Sequence, residues 1–98
     1  MLDLSKISGF EWDTGNVNKS YEKHGITQNE AEGVFLDTEQ LILEDDKHSQ
    51  KEVRFAIVGK STKDNILFIA FTIRENKIRV ISARKANTRE RRKYEEKT

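Results

Sequence analysis

The chain contains no cysteine. That excludes disulfide staples and thiolate–metal sites. Long apolar runs are also missing: the longest, residues 66–71, is far too short to cross a bilayer. The N-terminus has no basic stretch followed by an apolar one, so no signal peptide is expected and the default location is the cytoplasm, with no membrane as partner. Repeats, linkers and low-complexity segments are absent, and 98 residues predict one domain over 1–98. Apolar residues make up only 35% of the chain. They are gathered in tight clusters, which favours a small folded domain over a disordered chain.

Charge is present in abundance and unevenly placed. The net charge is +1, yet residues 1–46 carry eleven acidic and three basic side chains, and residues 47–98 carry fifteen basic and six acidic. Residues 74–93 alone hold nine basic against two acidic. A half this basic is an electrostatic footprint for a polyanion. The alternative is that the two halves neutralise each other or that the charges solvate a face.

The local patterns predict an α+β order of helix, helix, strands, helix. "FEWD", residues 10–13, reads as a short extended segment ending on Asp13 as a helix N-cap. "TGNVNKSYEKHG" reads as a helix with Val17, Tyr21 and His24 on one side and Gly25 at its left-handed end. Thr27 with Glu30 is a capping box for a second helix carrying Ala31, Val34 and Phe35 inward and ending near Asp37. Three or four strands follow, in "QLILE", "KEVRFAIVGK", "NILFIAFTIR" and "KIRVISAR". The third is apolar on both faces and belongs in the centre of a covered sheet. The short polar joins "STKD" and "REN" suit hairpins, so an antiparallel sheet is expected. Asn87 with Glu90 opens a C-terminal helix. Its only large apolar side chain is Tyr94, and isolated helices below roughly 12–15 residues are marginal in water. Either a partner or a polyanion holds this helix, or it is a solvated tail.

Candidate chemistry gathers in "DDKHSQKEVRF". If the chain is extended from His48, then His48, Glu52 and Arg54 share one face. An imidazole, a carboxylate and a guanidinium are the groups that RNA cleavage would use. His48 would move a proton, Glu52 would orient it, and Arg54 would grip phosphate bidentately. The plainer alternative is a solvated histidine beside a surface ion pair. In "IRVISAR", strict alternation puts Arg79 with Ile81 and Ala83, and Ser82 and Arg84 with Val80. Arg79 and Arg84 then point to opposite faces unless twist or a bulge redirects the strand end. His24 reads as a packed or capping histidine and Trp12 as a core or edge anchor. The carboxylates and two histidines show no convincing metal spacing, and neither metal nor cofactor is expected.

Taken together, "FEWD", "N…KHGI", "EAEGVFLD", "D…HSQKEVRFAIVG", "LFIAFTIR" and "IRVISARKANTRERRKYE" resemble the BrnT family of bacterial toxins. The blocks stand in the family's order and spacing. The resemblance implies a RelE-like fold and the toxin of a type II toxin–antitoxin module, an endoribonuclease that cleaves RNA and stops translation and growth. It further implies neutralisation in a hetero-oligomer by a small BrnA-like ribbon-helix-helix antitoxin, through which alone the complex meets operator DNA. The positions carried over are His48, Ser49, Glu52, Arg54, Arg74, Arg79, Ser82, Arg84 and Lys85. Of these, His48, Glu52, Arg54, Arg79 and Arg84 are the expected catalytic group. Arg74 and Lys85, with Arg89, Arg92 and Lys93 of the last helix, are expected to bind RNA. One departure is Thr14-Gly15, where many relatives have a proline, and it should loosen the helix start. Two other readings compete with the ribonuclease: a non-catalytic domain that binds nucleic acid or protein, and a toxin that inhibits gyrase.

Overall fold

The computed structural model describes residues 4–12, 14–45 and 52–97. After a 3-10 turn at Leu4–Lys6, the order is β1 (Gly9–Trp12), α1 (Thr14–His24), α2 (Gln28–Gly33) and a second 3-10 turn at Val34–Leu36. Then come β2 (Leu41–Glu44), β3 (Arg54–Lys60), β4 (Ile66–Arg74), β5 (Lys77–Lys85) and α3 (Thr88–Lys97). The α+β class holds, but the sheet differs from the expected one. It has five strands in the order β1-β5-β4-β3-β2, and β1 runs parallel to β5. The sheet is therefore mixed rather than antiparallel. The "FEWD" segment is short, but its first three residues complete a strand against β5 instead of serving only as a lead-in to α1.

β4 is central because both of its faces are apolar, as the sequence indicates. On its core face Leu67, Ile69 and Phe71 are fully buried beside Ile57, Ile78, Val80 and Ala83. Ile26, Ala31, Val34 and Phe35 close this layer from the helical side. The aromatic rings form a chain, with Phe10 on Phe35 at 5.3 Å, Phe35 on Phe71 at 5.1 Å and Phe55 on Phe71 at 5.5 Å. Trp12 joins the same layer and donates its Nε1–H to Glu32 at 2.7 Å, the anchor its composition suggests. Gly59 lets the second 3-10 turn lie against β3, because an added Cβ would meet Val34 Cγ1 at 2.9 Å.

The turns follow their residues. Glu75 and Asn76 both take positive φ in the two-residue β4–β5 hairpin, as a tight hairpin with the right twist requires. Gly25, at φ +67°, ends α1. Thr27 accepts the Glu30 N–H at 3.1 Å. The Glu30 carboxylate does not return to complete a box. It lies buried and accepts from Ser61 at 2.7 Å and Asn65 at 2.9 Å, tying α2 to the β3–β4 turn. Burial opposes its ionisation, but these bonds and nearby Lys63 and Lys85 outweigh that and lower its pKa.

The C-terminal helix is not a solvated tail. Its capping box is complete, with Glu90 N–H to Asn87 Oδ1 at 2.8 Å and Asn87 N–H to Glu90 Oε1 at 2.9 Å. Tyr94 is buried and donates its hydroxyl to Asp37 at 2.5 Å. The same Asp37 oxygen accepts the Lys60 N–H at 2.8 Å, so one carboxylate joins the helical layer, the end of β3 and α3. Burial, aided by the Asp37 charge, pushes the Tyr94 hydroxyl up to about 12. A phenol whose folded pKa is raised contributes stability below its ordinary pKa near 10, and that contribution is lost as pH rises toward about 12. Thermal melts at pH 9 and 11.5 should therefore show a larger drop for the native protein than for Tyr94→Phe. Equal drops would show that the phenol does not carry the linkage.

Candidate active site on the second face of the sheet

The face of the sheet opposite the core collects the basic residues, and strand register explains how. Arg54 of β3 pairs with Thr72 of β4, Thr72 with Arg79 of β5, and Arg79 with Glu11 of β1. Paired residues point to one side, so Arg54, Thr72, Arg79 and Glu11 form a row across four strands. The next row is Ala56, Ala70 and Ser82, and the one after it Val58, Phe68 and Arg84. Small side chains in the middle row make a floor between cationic borders.

Arg79 and Arg84 share this face only because β5 is irregular. Ala70 pairs with Ser82 while Phe71 pairs with Val80, which leaves Ile81 as an extra residue. This β-bulge shifts the alternation by one, so Ser82 and Arg84 join Arg79 instead of Val80. Burial agrees: Ile78, Val80 and Ala83 are buried, whereas Ser82 is exposed.

The arginines differ in how they are held. Arg84 makes a two-pronged pair with Glu90, 2.8 Å on each prong, and its guanidinium lies 4.2 Å from the Phe68 ring centroid. Burial raises the cost of ionising Glu90, but the Arg84 bonds and the Asn87 N–H outweigh it and lower the pKa. Arg84 is thus the clamp of α3 on the sheet as well as a border of the cleft. Arg79 lies 3.9 Å from Glu11, a loose surface pair. Arg54 enters β3 next to the Asp45 N–H, which bonds to the Arg54 carbonyl at 2.7 Å.

Other expected site residues are dispersed. Glu52 is exposed and engages Arg74 at 3.1 Å through Nε and 2.5 Å through Nη2. The Arg74 hydrogen bonds hold the Glu52 pKa below its usual value. β3 begins at Arg54, so Glu52 lies before the strand rather than within it. Lys85 pairs with Leu67 and lies on the opposite side from Arg84, toward Glu30, so it does not join the cleft. Arg89 and Lys93 border a groove of about 250 Å³ with Leu41, Leu43, Val58 and Phe68, while Arg92 is exposed elsewhere on α3. His48 and Ser49, with Asp13 as a cap, lie outside the described residues. Among the described residues no cluster of three or more histidines and carboxylates could hold a metal.

Lys19, Lys23 and His24 come as an addition. With Ile81, Ser82, Ala83 and Arg84 they line a cavity of about 200 Å³ between α1 and the end of β5. Sequence periodicity grouped His24 with Tyr21 as a packed face, but both are exposed. The i, i+4 spacing of Lys19 and Lys23, with His24 adjoining, was the available signal for a basic helix stripe.

Arginines gathered on one face of a mixed sheet, over a floor of small residues, define an α+β protein with a basic cleft. Comparison with known proteins gives that class a narrower meaning. The family model of BrnT, the ribonuclease toxin of a type II toxin–antitoxin system, matches residues 12–90, and the chain belongs to this family. Its enzyme class is therefore ribonuclease toxin, with RNA as substrate and an antitoxin as partner. In three dimensions the chain is similar to the ribonuclease toxin BrnT of Brucella abortus, with a TM-score of 0.63 and 18% identity, over 82% of this chain and 97% of that one. At that identity the likeness speaks for the fold. No curated protein matches the sequence. No helix among the described residues is long and apolar enough to span a membrane.

Proposed function

We propose that the protein is a metal-independent endoribonuclease, RelE-like in its use of arginines, that cleaves RNA across the second face of the sheet and so stops translation and growth. The observation that carries this reading is the Arg54–Thr72–Arg79 row, joined to Ser82 and Arg84 by the bulge at Ile81. Cleavage by the ribose 2′-hydroxyl gathers negative charge on the phosphorane. Guanidinium groups gathered on one sheet face can stabilise that charge as it develops. DNA lacks the 2′-hydroxyl, so the chemistry is confined to RNA. Arg89, Arg92 and Lys93 of α3 would hold flanking phosphates. A BrnA-like ribbon-helix-helix antitoxin would neutralise the toxin by covering this face with an acidic or amphipathic segment, in a hetero-oligomer.

The pure protein should cut RNA, and not DNA, in the presence of a chelator. Activity that vanishes with chelator and returns with magnesium would sink the mechanism. Lysine and arginine contacts to phosphate also predict RNA affinity that falls steeply between low and physiological salt, by about 0.7 log units per tenfold salt for each contact. Fluorescence anisotropy across a salt series measures this, and a flat series would move binding away from the basic face.

A further inference from the structure

We propose that His24 is the proton-transfer residue of the ribonuclease reaction, acting on a phosphate seated between Ser82 and Arg84 on the sheet and Lys19 and Lys23 on α1. The inference rests on RNA cleavage at the arginine face and adds to it an imidazole, a group that the arginine rows do not contain among the described residues. Arginine keeps its proton throughout the pH range of proteins, so Arg54, Arg79 and Arg84 can stabilise charge but cannot accept a proton. Imidazole exchanges protons near neutral pH. His24 is the one histidine among the described residues, and it is exposed at the end of α1 rather than packed.

Its position follows from three features of the chain. β1 stops at Trp12, opposite Val80, and among the described residues β5 has no strand partner on that edge from Ile81 onward. The bulge at Ile81 turns Ser82 and Arg84 toward the cleft. Gly25 ends α1 immediately after His24, which lines the cavity beside the end of β5. Ser82 is common to this cavity and to the arginine face, and along that face it directly follows Arg79. Two lysines beside a serine and an imidazole suit a phosphodiester, because their charges offset that of the phosphate; Arg84, paired with Glu90, borders the same cavity.

The step balances with water as co-reactant. Neutral His24 accepts the proton of the 2′-hydroxyl, and the 2′-oxygen forms a bond to phosphorus. The bond from phosphorus to the 5′-oxygen breaks, its electron pair leaves on that oxygen, and the oxygen takes a proton from water. The resulting hydroxide is neutralised when the imidazolium returns its proton to solvent. The products are a 2′,3′-cyclic phosphate and a 5′-hydroxyl.

The test uses the full chain, a labelled single-stranded RNA and its all-2′-deoxy counterpart as an uncleavable probe. His24→Gln should lower the cleavage rate by about 10²–10⁴-fold. Affinity for the deoxy probe should stay within threefold. The rising limb of the pH–rate profile should flatten, and free imidazole should restore part of the activity of His24→Gly. A His24→Gln protein that cleaves at the native rate with the native pH profile overturns the inference and leaves the ribonuclease reading standing. Loss of probe binding together with activity, without imidazole rescue, also overturns it by making His24 a phosphate contact. A native protein that leaves RNA intact removes the ribonuclease reading itself, and the role of His24 falls with it.

Discussion

Arg79→Ala should lose growth arrest and reduce RNA cleavage by about 10²–10³-fold, the usual cost of one preorganised donor to transition-state charge. Arg79 is partly exposed and its partner Glu11 is 3.9 Å away, so little packing is lost with it and the fold should survive. The same outcome is expected for Arg54→Ala, at the other end of the row. Arg54→Lys should fail as well, because an ammonium cannot reproduce the planar fork that grips two phosphate oxygens. Growth arrest on expression and initial cleavage rates give the effect, with circular dichroism and thermal melts as controls for folding. Full toxicity in both alanine variants would move the site off this face. Arg84→Ala is expected to behave differently, since its guanidinium also holds Glu90 and covers Phe68. It should lower stability along with activity.

Tyr94→Ala should be the most damaging single change in the last helix. Truncating a buried aromatic costs about 3–5 kcal/mol. In a domain of this size that corresponds to a melting temperature roughly 10 °C or more lower. Asp37 would also lose the hydroxyl that it accepts alongside Lys60 N–H. Removal of residues 88–98 should cost at least as much, because it takes away the Arg84–Glu90 clamp and the cover over Val58 and Phe68 too. Differential scanning calorimetry of both variants tests this. A truncated protein that melts at the native temperature would return α3 to the status of a solvated appendage, the alternative that its sequence left open.

The contrast over α3 shows what can be read from a chain and what cannot. Periodicity weighs apolar faces, and by that measure "TRERRKYEEK" has almost nothing to bury. Its anchor is one phenol, and the acceptor is a carboxylate 57 residues away, a pairing that no local pattern announces. The centrality of β4, the Thr27 and Asn87 caps, the left-handed Gly25 and the basic half were all legible, because each depends on neighbouring residues or on composition. The β1–β5 pairing was not, since four residues carry too short a pattern to choose a partner or a direction. The arginine cleft was half legible. Arg54 and Arg79 follow from strand alternation, whereas Arg84 needed a bulge whose position in "RVISAR" has no sequence mark. That His24 is exposed rather than packed was illegible for a related reason: its surroundings are made by β5, some sixty residues later in the chain.

The bulge at Ile81 has a second effect, on the uniqueness of strand pairing. A strand with one apolar and one polar face punishes a one-residue slip, because every side chain would change sides. β4 lacks that safeguard toward its neighbours, being apolar on both faces along most of its length. An unpaired extra residue in β5 acts as a notch: sliding β4 past it would misplace the interruption in the ladder and leave backbone groups without partners. The irregularity that gathers the arginines therefore also fixes which residues of the two strands may meet.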